Sequence, residues 1–169
     1  MSRWFKILLC LVCAFLPVSL NAFDWAVTAG PITMFPSEKT FPAGFYAQVG
    51  LRAVLTPRIE AELIAIPQIT PGPMSTAAAG ALMGINILDD AEPAYFNMIA
   101  DVGVIAVVTP GENQYDPLVY LRVSPLVIGN PSYWYRGRLF TFGALYDIPN
   151  RQLSWTFSTW IQNWFPGRH

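Results

Sequence analysis

The chain has 169 residues, enough for one domain, and it is 53% hydrophobic with only 12% charged residues, against about 25% in ordinary soluble proteins. So little charge cannot clothe a surface meant for water. A formal net charge of −1 leaves no basic stripe to neutralise phosphates, which argues against a nucleic-acid partner.

Residues 1–22 read as a secretory signal. Arg3 and Lys6 form the positive region, 7–16 is a short apolar core, Pro17 breaks it, and Ala22 is the expected cleavage edge with Leu20 two residues before it. The alternative is an uncleaved anchor, but the run is interrupted by Pro17 and falls short of the ~20 residues a helical span needs. Cys10 and Cys13 both lie in this segment. Lipidation at either is disfavoured by the bulky Leu9 and Val12 that precede them. Cleavage after Ala22 leaves a mature chain of 23–169 without cysteine, hence without disulfide or thiol chemistry.

Beyond residue 22 the hydropathy alternates with period two. Phe45, Ala47, Val49, Leu51, Ala53 and Leu55 fall on one face, and Tyr46, Gln48, Gly50, Arg52 and Val54 on the other. Eight such segments follow one another: 24–34, 43–55, 59–66, 76–88, 95–108, 118–128, 133–146 and 152–165. Each approaches the ~9–11 residues of a tilted membrane strand. Residues 77–84 are rich in Ala and Gly, so a short buried helix competes there. The strand reading places Ala79, Ala81, Met83, Ile85 and Ile87 outward and Thr76, Gly80, Gly84 and Asn86 inward.

Proline, glycine and acidic residues collect between the segments. The connections 56–58, 89–93 and 129–132 are short, whereas 35–41, 67–75, 110–117 and 147–151 are mostly longer. Outer-membrane barrels have short periplasmic turns and longer outer loops. An even strand number lets the first and last strands pair and close the sheet, removing the edges that lipid does not tolerate. Aromatics gather at strand ends. Phe23, Trp25, Tyr95, Phe96, Tyr133, Trp134, Tyr135, Trp160, Trp164 and Phe165 mark one end, and Phe35, Phe41, Phe45, Tyr115, Tyr146, Trp155 and Phe157 the other. The pattern therefore predicts an all-β, eight-stranded antiparallel up-and-down transmembrane barrel, apolar outside and polar within.

Catalysis is poorly supported. The only histidine is His169, the last residue, so no serine gains a histidine base. No His/Cys cluster has metal-ligand spacing, and no cofactor is implied. The run Asp89-Asp90-Ala91-Glu92 reads as a solvated turn. The inward charges are Arg52, Glu60, Glu62, Asp101 and Arg122. Around the 56–58 turn, Arg52 is expected roughly opposite Ala61, diagonal to Glu60 and Glu62. Asp101 and Arg122 fall on adjacent strands at similar heights. This set reads as an ion-pair plug, with a gate for small solutes or ions as its functional form. In the seventh segment two arrangements fit. Arg136 and Arg138 either face out and snorkel to headgroups, or a bulge between Arg138 and Phe140 turns both inward.

In its signal, eight alternating segments, short and long loops and aromatic last strand, the mature chain resembles the small outer-membrane proteins of the X and W type and the membrane domain of the A type. The resemblance implies insertion by the barrel-assembly machinery, a monomer surrounded by outer-membrane lipid, and loops open to host or surface ligands. It departs from the family where Trp164-Phe165 is followed by Pro166-Gly167-Arg168-His169 instead of ending on phenylalanine. The expected function is a surface-exposed membrane barrel, a narrow conduit through a plugged lumen, and not an enzyme. Two rivals stand beside it. One is a soluble secreted or periplasmic lipocalin-like barrel that binds an apolar ligand. The other is a lipid-acting barrel enzyme built on Asp101 and Ser124.

Overall fold

A computed structural model describes residues 24–35, 43–56, 58–69, 77–87, 97–108, 115–129 and 135–165. The signal segment with Cys10 and Cys13, the acidic run at 89–92, most of the long connections, residues 166–169 and the girdle candidates Phe23, Phe41, Tyr95, Phe96, Tyr133 and Trp134 lie outside the described residues.

Eight strands form the fold: β1 (Asp24–Phe35), β2 (Gly44–Val54), β3 (Ile59–Pro67), β4 (Ala77–Asn86), β5 (Asn97–Val108), β6 (Tyr115–Ile128), β7 (Tyr135–Asp147) and β8 (Gln152–Trp164). Each pairs antiparallel with its sequence neighbours, and β1 pairs with β8, so the sheet closes into a barrel without edges. The Ala- and Gly-rich segment is strand β4 and not a helix. Its neighbours β3 and β5 take up its backbone hydrogen bonds along its whole length.

Two local expectations are corrected. β6 begins at Tyr115, inside what the sequence suggested was a loop ending at Pro117. Pro117 fits there because β5 pairs with it on one side while the β6–β7 ladder begins only at Leu118. In the β2–β3 hairpin, Arg52 stands opposite Glu62 and not Ala61. The cause is the turn. The Ile59 N–H donates to the Thr56 carbonyl at 3.2 Å and the Leu55 N–H donates back to the Ile59 carbonyl at 2.9 Å, which shifts the register by one. The connection after β7 is also tight, with only 148–151 between the paired Asp147 and Gln152.

The outer face is apolar. Among the described side chains, the exposed charges are Arg58 and Arg151, both in turns. Phe35, Phe45, Tyr146 and Trp155 are exposed near one rim, and Trp160 and Trp164 towards the other. Phe165 departs from the expected girdle, since it is buried in the interior.

The lumen is not uniformly polar, which corrects the simplest reading of the alternation. Its half near the Thr56–Arg58 turn holds charge. Its other half is a packed apolar cluster that includes Ile32, Met34, Tyr46, Ile66, Leu82, Ile105, Leu118 and Leu145. Small inward residues make room for large ones. At Gly103 an added Cβ would strike the Ala81 carbonyl and the Leu82 backbone, so the neighbouring strand can approach there only because a side chain is missing.

Three adjacent strands share a disruption at one height. Inward residues run Arg122, Ser124, then Val127 on β6, and Arg136, Arg138, then Thr141 on β7. On β8 they run Thr156, Ser158, then Ile161 and Asn163. Each strand carries one extra residue, so β6, β7 and β8 stay in step with one another. The shift emerges at the borders of this group, between Asn97 and Ile99 against β6 and between Ala29 and Thr33 against β8. Pro125 and Pro31, which lack an N–H to donate, sit in these gaps of the ladder. Phe140 takes a left-handed φ of 54° at the β7 position of this row. One extra residue reverses which face every later side chain meets. Deleting Phe140 is therefore expected to turn Arg136 and Arg138 outward and abolish the cooperative urea unfolding of the barrel. Phe140→Gly, which keeps the residue count and suits the φ, is expected to retain it.

Candidate functional site

The inward charged side chains of this half form one network. β2 supplies Arg52, β3 Glu60 and Glu62, β5 Asp101, β6 Arg122, and β7 Arg136 and Arg138. All seven are at most 3% exposed. The five residues singled out from the sequence thus meet in the lumen, joined by the two arginines whose orientation the sequence left open.

Arg122 crosses the lumen. Its Nε donates to Asp101 Oδ2 at 2.8 Å, its Nη1 to Gln48 Oε1 at 2.9 Å and its Nη2 to Glu62 Oε2 at 2.5 Å. One side chain from β6 therefore ties β5, β2 and β3. Arg52 bridges the carboxylates from the opposite wall. Its Nη1 donates to Glu60, and its Nη2 to Glu62 Oε2 at 2.5 Å and to Asp101 Oδ1 at 3.0 Å. Arg138 Nη1 donates to Asp101 Oδ2 at 2.8 Å, and Arg136 Nη2 to Glu60 Oε2 at 2.6 Å.

Neutral groups take up the remaining carboxylate lone pairs. Glu62 Oε1 accepts from Thr28 Oγ1 at 2.7 Å and from Gln48 Nε2 at 3.3 Å, and Glu60 Oε1 accepts from Asn86 Nδ2 at 2.8 Å. Strands β1 to β7 thus all contribute a polar partner. This matters because taking two charges out of water costs several kcal/mol per ion, repaid only with close partners and satisfied lone pairs. Above the network Tyr120 lies 5.9 Å from the Arg122 guanidinium and shares a 3.1 Å hydrogen bond with Thr156. It marks the boundary with the apolar half. Gly84 leaves space on the β4 wall, where an added Cβ would crowd the Asp101 carboxylate and lie 3.2 Å from Arg52 Nη1.

Each carboxylate is held by at least two guanidiniums. Ser124, offered as a nucleophile with Asp101, instead shares a 2.9 Å hydrogen bond with Thr141. Among the described residues no group of three or more His, Cys, Asp or Glu is arranged to hold a metal ion.

Sequence reasoning missed the inclusion of Arg136 and Arg138 as settled members. The signal was present as broken alternation at Leu139-Phe140, Pro125-Leu126 and Thr159-Trp160. Only the pairing of the three strands reveals that these breaks align. The chain matches no protein-family model, no curated protein and no solved structure.

Removing one member of a buried pair strands its partner's charge, at a cost of about 3–5 kcal/mol. Arg122→Met is expected to lose about that much in urea unfolding of the barrel, because it releases Asp101, Glu62 and Gln48 together. Gly84→Ala is expected to lose about 1–3 kcal/mol by overpacking the same site, while Ala81→Gly on the outer face changes stability by under about 1 kcal/mol.

Proposed function

We infer that this protein is an integral outer-membrane β-barrel, exposed at the cell surface, whose lumen is a narrow conduit closed by the arginine–carboxylate network. The single observation that carries this reading is the partition of charge. Every described charged side chain on a strand faces the interior, and the outward faces of eight strands present apolar residues. An exterior of that kind suits hydrocarbon, where a charge at mid-depth would cost about 2–4 kcal/mol for Arg or Lys. Strands of 9 to 14 residues have the length required to cross.

An eight-stranded lumen is about wide enough for side chains to fill, so free diffusion of large solutes does not fit. Passage of an ion or small solute would require Arg122 and Arg52 to exchange carboxylate partners, which is the gating role proposed for Arg52, Glu60, Glu62, Asp101 and Arg122. The reading includes a monomer in outer-membrane lipid, delivery through the barrel-assembly machinery, and no catalytic step.

The apolar half of the lumen favours a second reading, a lipocalin-like barrel that holds an apolar ligand. Its weakness is the outer face, which offers water almost no charge. Carbonate extraction separates the two, since a membrane-integral barrel stays with the pellet and a soluble binder is released. In planar bilayers, Arg122→Ala is expected to raise single-channel conductance over the wild type. Equal conductance, or none in either protein, would reject the gate.

A further inference from the structure

The network does not balance. Among the described side chains, four guanidiniums, of Arg52, Arg122, Arg136 and Arg138, face three carboxylates, of Glu60, Glu62 and Asp101, which leaves one positive charge in excess within this set. The donors are in excess too. Arg136 Nε and Nη1, Arg138 Nε and Arg52 Nε are buried without a hydrogen-bond partner. So are both polar atoms of the Asn163 side chain, which is 0% exposed.

Apart from Arg52 Nε on β2, these orphan groups lie together. Arg136 and Asn163 are direct register partners on β7 and β8, both inward, and Arg138 lies one inward position further along β7. Arg136 is the second residue of β7 and Asn163 the last but one of β8, so the group sits at the mouth nearest the Thr56–Arg58 end. The Phe165 ring lies 5.8 Å from the Arg136 guanidinium and covers it. Each guanidinium has a carboxylate partner, but a surplus of buried charge is costly, and buried donors without acceptors add to that cost. A surplus of charge and a surplus of donors at one place call for the same remedy, which is an acceptor carrying negative charge.

We propose that this end of the lumen is a binding site for a small inorganic anion of the halide class, held by Arg136, Arg138 and the Asn163 amide. The ligand accepts from Arg136 and from Asn163 Nδ2 and neutralises the fourth guanidinium. A monatomic anion suits this place because it asks for less room than a polyatomic one between enclosed side chains, at 1% and 0% exposed, and because it accepts from donors in any direction. Water offers acceptors but leaves the charge uncompensated. The site depends on the aligned bulges of β6 to β8, since without the extra residue Arg136 and Asn163 would leave the lumen. It rests on the lumen alone and holds whether or not the barrel spans a membrane.

The test uses the whole barrel refolded in detergent, with sodium chloride compared with sodium gluconate at equal ionic strength. The urea midpoint is expected to be higher in chloride. Arg136→Gln, in which three guanidiniums face three carboxylates, is expected to lose that difference. Asn163→Leu keeps every charge and is expected to need about tenfold more chloride for the same gain. Crystals grown in bromide are expected to show an anomalous peak within hydrogen-bonding distance of Arg136 and Asn163. Equal midpoints in the two salts, or a carboxylate of the chain itself seated on these donors, would overturn the proposal. A bromide peak without chloride-dependent stability would mark an adventitious ion only and overturn it equally.

Discussion

Mutual dependence among buried charges is the constraint from which the rest of the interior follows. No single guanidinium or carboxylate of the seven could remain in so narrow a lumen alone, because desolvation would outweigh any one attraction. Together they convert that cost into connection. Arg122 ties its own strand to three others, and Arg52 reaches Glu60, Glu62 and Asp101 from the facing wall. The hydrogen bonds of the wall link each strand only to its neighbours, whereas these contacts cross the interior. They tie the closed sheet across its interior, in the half that lies outside the large apolar cluster.

The two halves of the lumen do different physical work. Near the loops after β1, β3 and β5, aliphatic side chains and Tyr46 pack against one another by ordinary apolar burial. Near the Thr56–Arg58 end, direction matters, because guanidinium and carboxylate must meet with matched geometry. Tyr120 joins the halves, with its ring near Arg122 and its hydroxyl on Thr156.

Backbone irregularity serves the chemistry. The aligned extra residues of β6, β7 and β8 look like defects strand by strand, and Phe140 bears a left-handed backbone for their sake. Taken together they leave the ladders among these strands in step and move Arg136, Arg138, Asn163 and Phe165 from the outside to the inside. A strictly regular barrel would have placed two arginines against whatever surrounds the outer face. The same irregularity brings the third and fourth guanidiniums into the network, and with them the excess of positive charge among its described members.

Much of this was legible in the residues in their order. Alternation such as Phe45 to Leu55 set strand identity and face, and the breaks between segments set the eight boundaries to within a few residues. Arg52, Glu60, Glu62, Asp101 and Arg122 were assigned inward on the same basis, because period two is a local property that each strand carries in its own residues. What lay beyond it was relational. Whether Arg52 meets Ala61 or Glu62 depended on hydrogen bonds in the turn. Whether Arg136 points in or out depended on bulges shared by three strands, and the division of the lumen into apolar and charged halves depended on relative heights around the closed sheet. A strand's own sequence decides its faces, but only pairing fixes register and height, and in this barrel those decide which charges touch.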